Sequence, residues 1–284
     1  MAVRKLDPNS ARSARNVHIK ADPTRIDPLK LKLGKLAARH DPRTLMLASY
    51  TTTALPAPPP ALNAAEKVKG PWGMMDNDQI GDCTCAAAGH LIMEWTATAQ
   101  SKMATPTDKQ IVAAYSAITG YNPTTGANDN GAQELDVLNY WRQHGIAGHK
   151  ITAYMTLEPS NHTHIMDAVW IFGGCYIGVA LPKSAQAQTS NKQIWSVPAS
   201  GTSGDGAPGS WGGHAVPVVA YDSRSLTVVT WGALQTMTWG FWAAYCDEAY
   251  AILSSDYLSK KGGQLVAPAG FNLQQLQEDL ADLK

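Results

Sequence analysis

The chain has 284 residues, enough for one large or two modest domains with a hydrophobic core. Hydrophobic residues make up 44% of it and charged residues 16%, a globular composition that excludes disorder along the whole chain. Lys plus Arg number 23 and Asp plus Glu number 23, so the net charge of zero predicts no general attraction to nucleic acid.

The basic residues are concentrated at the start of the chain. Residues 1–40 hold ten Lys or Arg against three Asp, which leaves the remainder weakly acidic. Prolines interrupt every periodic stretch of 1–69, and the run from Leu55 to Pro60 favours a stiff polyproline II spacer. We therefore predict a basic, Pro-rich N-terminal arm and linker over 1–69. The arm either docks on its own body, on a second copy or on an acidic partner, or is a solvated tail.

Targeting signals are weak in this sequence. The N-terminus carries charges but no apolar stretch of the length that a secretion signal needs. The longest apolar run, from Ala168 to Leu181, is too short to cross a bilayer. We expect no membrane partner and a cytoplasmic protein, or a virion-associated one if the chain comes from a phage. Its four cysteines are then expected to be free thiols.

Helical patterns dominate the first half of the body. Small and apolar residues over 83–100 predict a buried helix. A second helix is predicted from a Thr107 or Asp108 cap to Ile118, and a third over 133–144, where apolar residues lie on one face. A short helix over 166–172 follows.

Strand patterns dominate the second half. They cover 175–181, 215–221, 226–231 and 250–253, before an amphipathic helix over 272–283. Helices followed by strands are typical of an α+β fold in which two lobes face each other across a cleft. We divide the chain into the arm at 1–69, a body at 70–258 and a C-terminal tail at 259–284.

Cys83 lies where a nucleophile would be expected. It follows a glycine-containing loop and opens the first predicted helix, where unpaired backbone N–H groups and the helix dipole favour a thiolate. Asn77 and Gln79 precede it by six and four residues. Either amide could donate a hydrogen bond to an oxyanion together with the backbone N–H of Cys83. The alternative is a buried structural cysteine.

His214 stands between a glycine-rich loop and an apolar predicted strand. A histidine in such a place is often a core residue with no chemical role. Paired with Cys83, however, it would supply a general base that takes the thiol proton and later protonates the leaving group.

Three motifs follow one another in the chain: Asp-x-x-Gln-Ile-Gly-x-Cys-Thr, Gly-Gly-His-Ala-Val-x-Val-Val-x-Tyr-Asp and Thr-Trp-Gly. Their order and spacing resemble those of papain-like cysteine peptidases of bacterial or phage type, over roughly Gly70 to Leu258. The resemblance implies a papain-like two-lobe α+β fold, with a helical lobe and an antiparallel β lobe beside the arm. It also implies thiol-dependent hydrolysis of peptide or isopeptide bonds in a peptide or protein substrate. Cys83 matches the nucleophile and His214 the general base.

Two assignments stay open at this point. Asn77 stands six residues before Cys83, where the family has a glutamine; if Cys85 were the nucleophile, Gln79 would hold that place. We prefer Cys83, because Gly-Asp-Cys-Thr matches the Gly-Ser-Cys-Thr of bacterial relatives. The family's orienting asparagine is also missing, and either Thr230 or Asp222 is expected to replace it.

The missing carboxamide predicts either slow turnover or a papain-fold protein that lost the reaction. Such a protein would have a structural or interaction role, for example in a virion, and would dock through its arm. A transferase that passes the acyl group to an amine is a third hypothesis. Two histidine and cysteine groups, His162 with His164 and Cys83 with Cys85 and His90, are poor zinc signatures, so we expect no metal and no cofactor.

Overall fold

A computed structural model describes residues 30–51, 55–100, 102–258 and 270–282. Residues 1–29 of the predicted arm and residues 259–269 of the predicted tail lie outside the described part. Within the described part, helices and an eight-stranded sheet form a mixed α+β fold, as the sequence predicts.

The first three predicted helices are confirmed. They are α1 (Cys83–Ala99), α2 (Asp108–Thr119) and α3 (Glu134–Gln143). Fourteen of the seventeen residues of α1 are buried, which makes it the central helix of its lobe. At the start of α2, Thr107 Oγ1 accepts the Gln110 N–H and the Gln110 side chain accepts the Thr107 N–H, a capping box that fixes where the helix begins.

Five further helices follow: α4 (His162–Phe172), α5 (Ser184–Ser190), α6 (Trp239–Tyr245), the single turn α7 (Ser255–Leu258) and α8 (Leu273–Asp282). The helix α4 begins four residues earlier than predicted, because the Asn161 side chain accepts hydrogen bonds from the first free N–H groups. The predicted amphipathic helix α8 is confirmed. It buries Leu276 and is held by a 2.5 Å hydrogen bond from Tyr50 Oη to Asp279.

The strands of the sheet are β1 (Leu45–Met46), β2 (Leu62–Asn63), β3 (Ile151–Thr156), β4 (Cys175–Leu181), β5 (Gly212–Tyr221), β6 (Ser225–Thr230), β7 (Ala233–Thr238) and β8 (Cys246–Ser254). Their order is β1-β3-β8-β4-β5-β6-β7, with β2 paired to β5. All neighbours are antiparallel except β1 and β3. The four predicted strands are present, and β8 is longer than predicted.

The sheet separates two hydrophobic cores. Alternate residues of β5 face opposite sides, so Ala215 and Val219 pack with α1 while Val216 and Val218 pack with α4 and α6. The helical lobe therefore rests on one face of the sheet. The N-terminal end of α1 lies against β5, at the junction of the two lobes.

The described part of the arm docks on its own body, which is one of the alternatives raised by its charge. Its strands β1 and β2 pair with β3 and β5 of the body. The side chains of Leu31 and Leu47 are buried in the core on the α4 side of the sheet. The described residues of the arm thus contribute to both sheet and core.

Glu94 in α1 makes stability depend on pH. It is fully buried, and Oε1 accepts a 2.8 Å hydrogen bond from Thr98 while Oε2 has no partner among the described residues. Burial raises the pKa of Glu94 to about 8. The folded state therefore prefers the protonated acid. Its contribution to stability is complete below pH 4.5, the ordinary value, and is lost as pH rises through about 8.

We expect Glu94→Gln to remove this loss and to make the chain more stable than the native sequence at pH 8. The slope removed is at most about 1.4 kcal/mol per pH unit. Denaturant unfolding at pH 5, 7 and 9 measures it, with the exposed Glu66→Gln as control. An unchanged slope in Glu94→Gln would contradict the assignment.

Candidate active site

Cys83 lies at the junction of the two lobes. It is the first residue of α1 and is fully buried. The backbones of Ala215 and Gly34 lie close to its sulfur, and their N–H groups act to lower the pKa of the thiol. Because Ala215 directly follows His214 in β5, the fold brings the predicted nucleophile and the predicted histidine segment together from 131 positions apart.

The imidazole of His214 is held from one side and from one face. Its Nε2 lies 2.7 Å from Thr230 Oγ1, and the Trp231 indole stacks on the ring at a centroid distance of 4.4 Å. The other ring nitrogen, Nδ1, has no hydrogen-bond partner among the described residues. Of the two residues expected to replace the asparagine, Thr230 is therefore the one in contact with the imidazole. The exposed Asp222 instead accepts N–H groups of its own turn and is not at the imidazole.

The two amide candidates are placed differently. Asn77 is buried, beside the carboxyl group of Asp82, and its Nδ2 has no acceptor in hydrogen-bonding geometry among the described residues. Gln79 is exposed, and its amide donates to Asp78 at 2.7 Å. The fold therefore brings Asn77, and not Gln79, to the beginning of α1.

Cys85, the rival nucleophile, is also fully buried. It lies two residues after Cys83 in the first turn of α1. Burial and the charge of Asp82 raise the pKa of its thiol well above the usual range. The N–H groups of Ala215 and Gly34 act on the thiol of Cys83 instead. This contact with β5 favours Cys83 over Cys85.

A segment of the arm runs over the thiol. We call residues 31–36 the cleft segment. Its Gly34 approaches the loop before α1 so closely that a Cβ on it would lie 1.8 Å from Gly81 O. Only glycine permits this approach, and the backbone of Gly34 is thereby placed on the sulfur of Cys83.

Hydrogen bonds tie the cleft segment to both lobes. On the β side, the Lys35 N–H donates to Gly213 O at 3.1 Å. On the helical side, the Leu36 N–H donates to Ala132 O at 3.0 Å and the Ala132 N–H donates to Gly34 O at 2.8 Å. The two bonds to Ala132 form a parallel β-bridge between Lys35 and the residues just before α3. The cleft segment therefore spans the groove like a short added strand.

The closed groove sets the protonation of both reactive groups. Burial raises the pKa of the Cys83 thiol to about 12, and the Ala215 and Gly34 N–H groups only partly offset this. Burial also lowers the pKa of His214 to about 3. Both are therefore neutral near pH 7. The prediction of a thiolate at Cys83 is wrong for this closed arrangement. The cost of burying the charge outweighs the stabilisation of a thiolate by the helix N-terminus.

Sequence reasoning missed the cleft segment and its role. The available signal was the alternation Leu31-Lys-Leu33-Gly-Lys-Leu, a strand-like pattern with a glycine inside an otherwise Pro-interrupted arm. That pattern indicates a strand but not which surface it pairs with.

The described residues offer neither a metal site nor a membrane-spanning helix. Within residues 30–51, 55–100, 102–258 and 270–282, no group of three His, Cys, Asp or Glu side chains is arranged to hold a metal ion. In the same part of the chain, no helix has the length and apolar character to span a bilayer.

Removing the close approach at Gly34 should open the groove. We expect Gly34→Val to displace the cleft segment, because the added side chain collides with the backbone of Gly81. Alkylation of Cys83 by iodoacetamide, followed by mass spectrometry, should then accelerate by about tenfold or more. The partly exposed Cys246 is the internal reference, and Leu36→Ala is the control variant, since this side chain is exposed. Equal alkylation of Cys83 in all three chains would show that the segment does not cover the thiol.

Comparisons with known proteins were made by sequence and by fold. Neither protein-family models nor curated proteins gave a match. Among solved structures, xylellain, a cysteine protease from Xylella fastidiosa, is 16% identical and aligns over 79% of this chain and 97% of its own, with a TM-score of 0.56. Digestive procathepsin L 3 of Tenebrio molitor is 12% identical over 80% of this chain and 77% of its own, with a TM-score of 0.54. Procathepsin B S9 from Trypanosoma congolense is 12% identical over 80% and 88%, with a TM-score of 0.53. The chain therefore has the fold of the papain-like cysteine proteases, as its motifs predict.

Proposed function

We propose that this chain is a thiol-dependent hydrolase of peptide or isopeptide bonds, held in a latent form by its own arm. The observation that carries the proposal is the position of Cys83, at the beginning of α1 and beside the backbone of Ala215, the residue after His214. His214 is held by Thr230 and Trp231, which leaves Nδ1 free to exchange a proton.

The reaction starts when the cleft segment leaves. Water and substrate then replace Gly34 above the thiol, so the desolvation that keeps both groups neutral is reduced. His214 takes the proton from Cys83, and the sulfur attacks the carbonyl carbon of the substrate. The resulting oxyanion is stabilised by the unpartnered amide of Asn77 and by the Cys83 N–H, which as the first of α1 lies outside the helix's own hydrogen bonds.

The second half of the reaction regenerates the thiol. His214 gives its proton to the leaving nitrogen as the C–N bond breaks, which leaves a thioester on Cys83. A water molecule then attacks the thioester with His214 again as base, the C–S bond breaks, and His214 returns the proton to the sulfur as the acid product leaves. An amine in place of this water would give the acyl-transferase outcome, so amine acceptors belong in the assay.

A binding role without turnover is the second candidate. The observation that favours it is Thr230, a hydroxyl where the family has a carboxamide, combined with a thiol that is fully enclosed. Under this alternative the cleft segment is a permanent part of the fold. Opening the groove would then expose Cys83 without producing any hydrolysis.

Two cysteine variants separate the candidates. In the Gly34→Val background, we expect cleavage of a fluorogenic peptide library to be lost with Cys83→Ala, by at least about 10³-fold, because the nucleophile is gone. Cys85→Ala should keep the activity, since that thiol lies within α1. Loss of activity in Cys85→Ala alone would move the nucleophile to Cys85. No cleavage in any background would support the binding role.

Thr230 is expected to position the imidazole. Thr230→Val keeps the shape and removes the hydroxyl, so in the opened chain kcat should fall by about tenfold while KM changes little. Thr230→Ser, which keeps the hydroxyl, is the matched control. The pH profile should also shift in Thr230→Val, because the hydrogen bond acts on one ring nitrogen of His214. Equal kcat and pH profiles in the two variants would remove Thr230 from the mechanism.

A further inference from the structure

The side chain of Lys35 leaves the cleft segment and enters a pocket of the body. It is only 1% exposed. Its Nζ lies 2.9 Å from Asp247 Oδ2 and 2.8 Å from Glu248 Oε1, and donates to Leu36 O at 3.1 Å. We call the surroundings of this ammonium, Glu134, Gly178, Asp247 and Glu248, the acidic pocket.

Three elements of the body form the acidic pocket. Glu134 is the first residue of α3, Gly178 lies in β4, and the two remaining acids lie near the start of β8. A Cβ on Gly178 would lie 2.0 Å from Lys35 Cε. The glycine therefore gives the space through which a long alkyl chain reaches the carboxylates.

The acidic pocket holds more acceptors than Lys35 uses. Glu134 is fully buried, and neither of its oxygens has a hydrogen-bond partner among the described residues. Burial raises the pKa of Glu134 well above its usual range, the charge of Glu248 adds to this, and Lys35 acts in the opposite direction. Unpartnered buried carboxyl groups are costly to the fold. A pocket of this kind is explained by a cation that it has to bind.

The occupant is bound as a cation. Burial by itself would lower the pKa of Lys35, but the charges of Glu134, Glu248 and Asp247 outweigh burial and hold that pKa above its usual value. Lys35 directly follows Gly34 in the chain, and the backbone of Gly34 lies close to the sulfur of Cys83. The acidic pocket is therefore adjacent to the reactive thiol along an extended chain.

We propose that the acidic pocket selects substrates with a lysine or arginine next to the residue that lies over Cys83, and that Lys35 occupies it as an internal mimic of that side chain. This inference rests on the proposed hydrolase function and names its substrate class. Arginine is expected to bind at least as well as lysine. A guanidinium has five N–H donors against the three of an ammonium, and so can reach acceptors that Lys35 leaves unpaired.

The first test measures selectivity with substrates. The full-length Lys35→Ala chain, whose arm no longer fills the pocket, is given peptides in which one position is scanned with Lys, Arg or norleucine. Norleucine has an alkyl chain but no charge. We expect kcat/KM at one position to be higher for Lys and Arg than for norleucine by about tenfold or more. Adding Glu248→Gln should reduce this ratio, whereas the exposed Asp205→Asn should not.

The second test uses the arm itself as the ligand and needs no hydrolysis. Iodoacetamide labelling of Cys83 is compared in the native chain, in Lys35→Arg and in Lys35→Met. We expect Lys35→Arg to protect Cys83 as the native chain does, and Lys35→Met to label faster by about tenfold or more. A small free thiol added to each reaction serves as the reference, because Cys246 itself contacts Glu248 of the pocket. Thermal unfolding of each variant shows whether faster labelling reflects the groove rather than a loss of the fold.

The two tests separate failure of the pocket from failure of the chemistry. If norleucine peptides are cleaved as fast as Lys peptides, or if Lys35→Met protects Cys83 as well as Lys35→Arg, the proposed selectivity is wrong. If no peptide is cleaved while Lys35→Arg protects and Lys35→Met exposes the thiol, the hydrolase function fails and a pocket selective for a basic side chain stands.

Discussion

The arrangement of the site depends on one close contact, in which the backbone of Gly34 packs against Gly81 near the sulfur of Cys83. A side chain on Gly34 would collide with Gly81, so the two backbones are in direct van der Waals contact. This contact fixes the position of the cleft segment. The hydrogen bonds to Gly213 and Ala132 then follow from an extended strand at this place. The same strand points the next side chain, Lys35, into the acidic pocket.

In the proposed hydrolase, closure of the groove would control the chemistry through solvation of the thiol and the imidazole as well as through distance. A thiol with a pKa near 12 and an imidazole with a pKa near 3 have no tendency to exchange a proton at neutral pH. The helix N-terminus and the N–H groups of Ala215 and Gly34 favour the thiolate, but burial outweighs them. Admission of water is therefore as important to activation as admission of substrate, since each reduces the same desolvation.

Local pattern and motif spacing predicted most of the fold and part of the site. The helices α2 and α3 carry a helical apolar pattern, and α1 and the strands β4 to β6 are rich in apolar or β-branched residues. Cys83 and His214 are predicted as a pair from residue chemistry and motif order. The strand β7 was missed because only one of its six residues is buried, so its sequence pattern contains little apolar signal. Lys35 was missed for a different reason. A charged residue in a basic arm suggests solvent, and its carboxylate partners lie 99 to 213 positions away.

If the arm and a substrate use the same acidic pocket, they compete for it and cannot both be bound. A segment tethered to the body has an effective concentration on the order of millimolar. A free peptide that makes the same contacts at micromolar concentration is then outcompeted by about a thousandfold, and the groove stays closed. Selectivity for a basic side chain would in this way also strengthen latency, because each contact that improves substrate binding improves the fit of Lys35. Under the proposed function, activation would therefore require an event that acts on the arm and not on the pocket, such as a cut between the cleft segment and β1 or a partner that binds the arm more tightly than the body does.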